Sequence, residues 1–211
     1  MNEALEQRSY NFEIRAEQND EGIGVVRGRP IVYNSRTDLG YFDEVIERGA
    51  LNGADLRDVR FLVNHDISKI PLARSRNNNA NSTMQLTVDD QGMSIRVNLD
   101  VKNNSEARNL YSAIERGDIT GMSFMFAIDD EEWTELESDH PTRHIKKISD
   151  VVEVSAVTFP AYEDTEISVR NKKALESAKS TLDSVKRSKA EALDKALELE
   201  KAKFEAFMKV R

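Results

Sequence analysis

One run of residues constrains this chain more than any other: Asp150-Val151-Val152-Glu153-Val154-Ser155-Ala156-Val157-Thr158-Phe159-Pro160. It is apolar and β-branched enough to be a strand, and Pro160 ends it. Glu153 sits in its middle, and a carboxylate is costly to bury without a partner. Alternation puts Glu153, Ser155 and Val157 on one face, opposite Val152, Val154 and Ala156. Either that face is wet, or Glu153 meets something positive or hydrogen-donating. An arginine or lysine satisfies the requirement, and so does a histidine.

The pattern around this run is β-rich. Asn11–Arg15, Met84–Val88 and Met93–Leu99 alternate polar and apolar, and Asp89-Asp90-Gln91-Gly92 between the last two has hairpin-turn chemistry. Ile23–Val32 is a glycine-punctuated strand with room for a bulge. Val59–Val63 is a short apolar strand leading into Asn64-His65-Asp66, and Asn77–Ser82 reads as an exposed loop. Strands are also expected over Ser123–Ile128 and Ile145–Ile148, with an acidic, irregular stretch from Asp129 to Thr142. Two helices are expected in this region. A short one runs from Asp43 to Arg48 before Gly49. A longer one runs from Ser105, as its N-cap, to Arg116, with Gly117 as its stop and Ala107, Leu110, Tyr111 and Ile114 on its apolar face.

From Lys172 to Lys209 the chain changes character: it has no Gly or Pro and is rich in Ala, Leu, Glu and Lys. Leu175, Ala178, Leu182 and Val185 form a thin apolar stripe that Lys189 interrupts, as in a long amphipathic helix that packs on a partner or lies solvated. The division is therefore a domain over 1–171 and a helical tail over 172–211. The net charge of −8 is split along the same line, since the tail holds 11 Lys and Arg against 7 Asp and Glu, leaving it at +4 and the body at −12. An acidic body excludes the basic footprint that nucleic-acid binding needs. No apolar run approaches the ~20 residues that span a bilayer. The chain has no cysteine, which excludes disulfides, thiolate catalysis and cysteine-held metals.

Three histidines narrow any acid–base chemistry. His140 and His144 have the spacing of two metal ligands on one helical face, but Pro141 breaks a helix there and no third ligand presents itself, so no metal site is expected. His65 ends an apolar strand, a place where histidine is more often structural than catalytic. Ser123, in Gly121-Met122-Ser123-Phe124-Met125, starts a hydrophobic strand after a helix stop and a tight turn. It lacks the second glycine of the nucleophile elbow, and by motif alone would be a core or turn residue. Serine becomes a nucleophile only beside a base that takes its proton. In chain order the candidates run His, Ser, acid, which is not the order of chymotrypsin-like, subtilisin-like or α/β-hydrolase enzymes.

Several blocks together resemble the prohead proteases of tailed bacteriophages, and most of all those of the Hong Kong-type lambdoid phages. They are Asp38-Leu39-Gly40, Phe42-Asp43-Glu44, Arg48-Gly49-Ala50-Leu51, Leu62-Val63-Asn64-His65-Asp66, Arg116-Gly117-Asp118, Gly121-Met122-Ser123-Phe124 and Glu153 through Tyr162. They occur in order between about Gly24 and Thr165.

The resemblance implies an α+β fold like that of the herpesvirus assemblins, a mostly antiparallel β-barrel surrounded by helices, here with a long C-terminal helix. It places the family's histidine on His65 and its serine on Ser123. Glu153 stands where assemblins carry a second histidine, with Asp66 and Asp150 as rivals for that role. The oxyanion loop falls on Thr158–Ala161, which offers no arginine, so backbone amides would serve. The implied activity is serine endopeptidase cleavage of the scaffolding portion of the major capsid protein, and of the enzyme itself. No cofactor or metal is needed. The expected location is the prohead within the host cytoplasm, with a homodimer as a further expectation and neither nucleic acid nor membrane as a partner. The basic tail would act in encapsidation or scaffold binding. The rival readings are a non-enzymatic capsid scaffold or assembly chaperone, a β-rich structural domain whose His65 and Ser123 are incidental, and a metal hydrolase built on His140 and His144.

Overall fold

The computed structural model describes residues 5–10, 14–18, 23–158, 171–189, 191–192 and 195. Among these residues eleven strands fall in two sheets, with helix α1 (Ser105–Glu115) between β9 and β10 and a second helix, α2, over residues 171–189. The smaller sheet is antiparallel, in the order β2 (Ile14–Gln18), β3 (Gly24–Val32), β9 (Gly92–Leu99) and β8 (Met84–Asp89). The larger is built on one long pair, β10 (Gly121–Thr134) against β11 (Thr142–Val157). β1 (Leu5–Tyr10) pairs with the far edge of β10. The other edge of β11 carries two parallel partners end to end, β5 (Asp43–Ile46) beside Thr142–Ile145 and β6 (Asp58–Val63) beside Glu153–Ala156. β4 (Arg36–Asp38) and β7 (Ala73–Arg76) extend these antiparallel. The expected single barrel is not what forms. No ladder joins the two sheets among the described residues, and the larger sheet is mixed rather than antiparallel throughout.

A continuous core lies between the sheets and α1. Phe61, Phe124, Phe126, Val154 and Ala156 of the larger sheet share it with Val26, Ile31, Met93 and Val97 of the smaller, and with Ala107, Leu110 and Ile114 of the helix. At ~25 cal/mol per Å² of apolar area, burial of these side chains is the main force holding the sheets face to face. The hairpin expected at Asp89–Gly92 forms, with Asp89 opposite Gly92. Gly92 has φ +133°, and a Cβ there would stand 2.0 Å from the Ile31 carbonyl oxygen, so only glycine fits. The bulge expected in β3 falls between Gly28 and Ile31, where Pro30 can sit without owing a ladder hydrogen bond.

Four other expectations change. Asn104, not Ser105, caps α1, its side chain accepting from the amides of Glu106 and Ala107. Asp43–Ile46 is a strand and not a helix: so short a segment gains little from helix formation alone, and β11 supplies a ladder for Val45 and Ile46. The acidic stretch after Ile128 is irregular only over 135–141, since β10 continues to Thr134. Basic residues of β11 stabilise it across the ladder, Lys147 with Asp129 at 2.5 Å, Lys146 with Glu132, and Arg143 with Glu131. The strands expected at Ile145–Ile148 and Asp150–Phe159 are one, β11, with Phe159 outside the described residues.

In the tail, residues 171–189 are helical, Leu175 is buried, Ala178 and Leu182 are half-buried and Val185 is exposed. Lys186 pairs with Glu137 of the β10–β11 turn. Most of the helix expected beyond residue 189 lies outside the described residues, as do Asn11–Glu13 and Phe159–Arg170.

Candidate active site

The site is made where β6 ends. Val63 stands opposite Ala156 in the parallel ladder, and the Asn64 amide donates to the Ala156 carbonyl at 3.0 Å. The next two backbone steps are left-handed, Asn64 at φ 50° and His65 at φ 57°. Asparagine tolerates that region; histidine adopts it at a cost of ~1–3 kcal/mol. The Asn64 side chain holds the turn, accepting from the Thr158 amide at 2.9 Å and donating to its hydroxyl at 3.1 Å. The His65 amide donates to Ser155 Oγ at 3.1 Å. The chain thus reverses at His65 and lays the imidazole back over β11.

There it meets the other two candidates. Ser123, in β10, lies opposite Ser155 in β11, and Glu153 is two residues earlier along the same strand and so on the same face. His65 Nε2 is 2.5 Å from Ser123 Oγ, across 58 residues of chain, and its Nδ1 is hydrogen-bonded to Glu153 Oε1. Glu153 Oε2 accepts from Ser155 Oγ at 2.6 Å. Glu153 and Ser123 are buried, at 1% and 0% exposure, while the His65 side chain keeps 15%. The apolar strand's carboxylate therefore has a partner on each oxygen, and one of them is an imidazole. Of its rivals, Asp66 folds onto Ser68, accepting from its amide at 3.1 Å and its hydroxyl at 2.5 Å. Those bonds hold the Asp66 carboxyl below the usual carboxylate range. Asp150 sits at a bridge to Asp55 and borders a separate surface hollow with Arg57, Arg60, Arg74 and Arg76.

The Ser123 hydroxyl has a second neighbour: its Oγ lies 2.9 Å from the Arg8 carbonyl oxygen in β1 and donates to it. β1 runs along β10 with Ser9 opposite Ser123, which accounts for the burial of the serine. A buried charge network holds that strand down. Arg8 Nε and Nη2 donate to Glu44 at 2.5 and 2.6 Å, and Arg143 donates to both Glu6 oxygens at 2.8 Å and to Glu44 at 3.3 Å. Burial alone would raise the Glu6 carboxyl, but the Arg8 charge and the Arg143 hydrogen bonds outweigh it and hold it below its ordinary value. Neither β1 nor Ser155's contacts were legible as part of the site beforehand. The only signal was Ser155's place on the Glu153 face.

A cleft of about 450 Å³ opens beside the His65 turn, between residues 62–72 and α1. Leu62, Leu72, Leu110 and Ile119 give it apolar walls, and Asp66, Lys69 and Glu106 line it with charge. The remaining histidines go elsewhere. His140 Nε2 is 3.1 Å from Asp43 and 3.6 Å from Asp38, while His144 lies between Glu47 and Thr134, 3.2 Å from each. Asp38, Asp43 and His140 form the one group among the described residues close enough to share a metal ion, with Asp38 and His140 exposed and Asp43 half-buried. Of the expected oxyanion loop, Thr158 is described and Phe159–Ala161 lie outside the described residues. No described helix is long and apolar enough to cross a membrane.

No curated protein matches the sequence in a direct search. Among solved structures the chain is similar to the capsid assembly protease of bacteriophage T4, with a TM-score of 0.44 and 11% identity over 76% of this chain and all, 100%, of that one. The sequence model of the caudovirus prohead serine proteases matches residues 10–180, from the last residue of β1 through the first part of α2. On that match, which takes in the His65, Ser123 and Glu153 segments alike, the chain belongs to the caudovirus prohead serine protease family.

Proposed function

We propose that this chain is the capsid-maturation endopeptidase of its phage, working within the prohead, with Ser123 as nucleophile, His65 as general base and Glu153 as the acid that orients His65. The observation that carries the reading is the 2.5 Å approach of His65 Nε2 to Ser123 Oγ while Nδ1 is held by Glu153. A carboxylate on Nδ1 keeps the proton there, leaves Nε2 free to accept from the serine, and stabilises the imidazolium that results. Ser123 Oγ then attacks the scissile carbonyl, and His65 delivers its proton to the leaving amine. Water, activated by the same imidazole, cleaves the acyl-enzyme. No step calls on a metal or organic cofactor. The cleft lined by Leu62, Leu110 and Ile119 is the proposed seat for substrate side chains.

The proposed substrate is the scaffolding region of the major capsid protein, together with the enzyme itself. The +4 tail over 172–211 serves as its encapsidation or scaffold-binding element. Co-expression with the capsid protein, wild type against Ser123→Ala, followed by mass mapping, tests the activity. Serine-dependent loss of the scaffolding region is expected. Identical products from both chains would leave a non-enzymatic scaffold as the better reading. Deleting residues after Arg170 tests the tail: normal packaging of the shortened chain would reject its role.

A further inference from the structure

We propose that Ser155 is a positioning residue for this catalytic group, an inference that rests on the protease reading and deepens it. Its single hydroxyl, at 0% exposure, does two jobs. It accepts from the His65 amide at 3.1 Å and donates to Glu153 Oε2 at 2.6 Å. The first bond holds the base's backbone in its left-handed conformation, φ 57°, which histidine does not favour. The second fixes the rotation of the carboxylate that must point its other oxygen at Nδ1. Ser155 also lies directly opposite Ser123 in the ladder, so one β-strand position sets acid, base and nucleophile relative to each other. Without the hydroxyl, the carboxylate can turn and the His65 backbone can relax. A displacement of about 1 Å in such a group costs on the order of 100-fold in rate.

Ser155→Ala is expected to lower kcat by about 10- to 100-fold with KM within a factor of two, since no substrate contact is lost. Ser155→Thr, which keeps the hydroxyl, restores most of it. In a Glu153→Ala background the same Ser155→Ala change costs less than it does alone, because part of its action runs through Glu153. Should the alanine variant fail to fold, Ser155→Cys, similar in size but a weak donor, carries the test. If Ser155→Ala keeps kcat within twofold of wild type while Ser123→Ala abolishes cleavage, the positioning role is wrong and the protease reading stands. If the wild-type chain shows no serine-dependent cleavage, the protease reading itself has failed.

Discussion

Replacing Glu153 by Gln keeps the shape of the side chain and removes its charge, and the surroundings limit what the amide can do. Glu153 accepts two hydrogen bonds, one on each oxygen, from His65 Nδ1 and from Ser155 Oγ at 2.6 Å. A glutamine has one acceptor and one donor, so one of the two must be given up. If its NH₂ faces Nδ1, the imidazole is forced into the tautomer protonated on Nε2, which cannot take the Ser123 proton; the loss is then about 10⁴-fold in kcat, or ~5.5 kcal/mol. If its carbonyl faces Nδ1, the Ser155 hydroxyl loses its acceptor in a fully buried position, at ~1–3 kcal/mol, and the imidazolium loses its counter-charge. That arrangement leaves a loss of about 10²-fold. The account therefore predicts a fall in kcat between about 10² and 10⁴, with far-ultraviolet circular dichroism unchanged. The assay is turnover of a peptide spanning a mapped capsid cut. A loss below fivefold in a folded variant would refute the orienting role given to Glu153.

Other outcomes follow from the same contacts. Glu44→Gln leaves Arg8 and Arg143 short of a buried counter-charge, which should destabilise the fold by ~3–5 kcal/mol and lower Tm by roughly 10 °C in a thermal melt. Gly92→Ala should prevent correct folding because of the 2.0 Å clash with Ile31, whereas Gly117→Ala, at φ +78° with open space around it, should cost only ~1–2 kcal/mol by denaturant titration. The Arg29 hydrogen bonds hold the Asp89 carboxyl at about 2 against an ordinary 3.8. Its contribution is then complete above pH 3.8 and lost as the pH falls through about 2, so Arg29→Ala should flatten the acid limb of the stability–pH curve there.

How much of this was legible in the sequence depended on the range of the interaction involved. The Asp89–Gly92 hairpin, the Gly117 stop and the β6 strand into His65 are set by neighbours in the chain, and turn chemistry and alternation are enough to read them. Glu153 was legible as a physical demand, a charge in an apolar strand, though not as a contact. The pairing of β10 with β11 that sets Ser123 opposite Ser155 is a matter of register, and alternation says nothing about register between distant strands. The same limit hid β5: Asp43–Ile46 is a strand only because β11 lies beside it, and the acidic Asp129–Thr134 pairs only because Arg143, Lys146 and Lys147 come across the ladder. Family resemblance supplied the residues but overstated the closure of the sheets.

The most direct measurement couples chemistry to position. In a preparation where the wild-type chain is cutting capsid protein, a fluorophosphonate probe is added and both adduct and cleavage are followed by mass spectrometry. The account predicts a single adduct on Ser123, accumulating as cleavage stops and missing from a His65→Ala chain. Cleavage that continues without an adduct at Ser123, or an inactivating adduct on another residue, would contradict it.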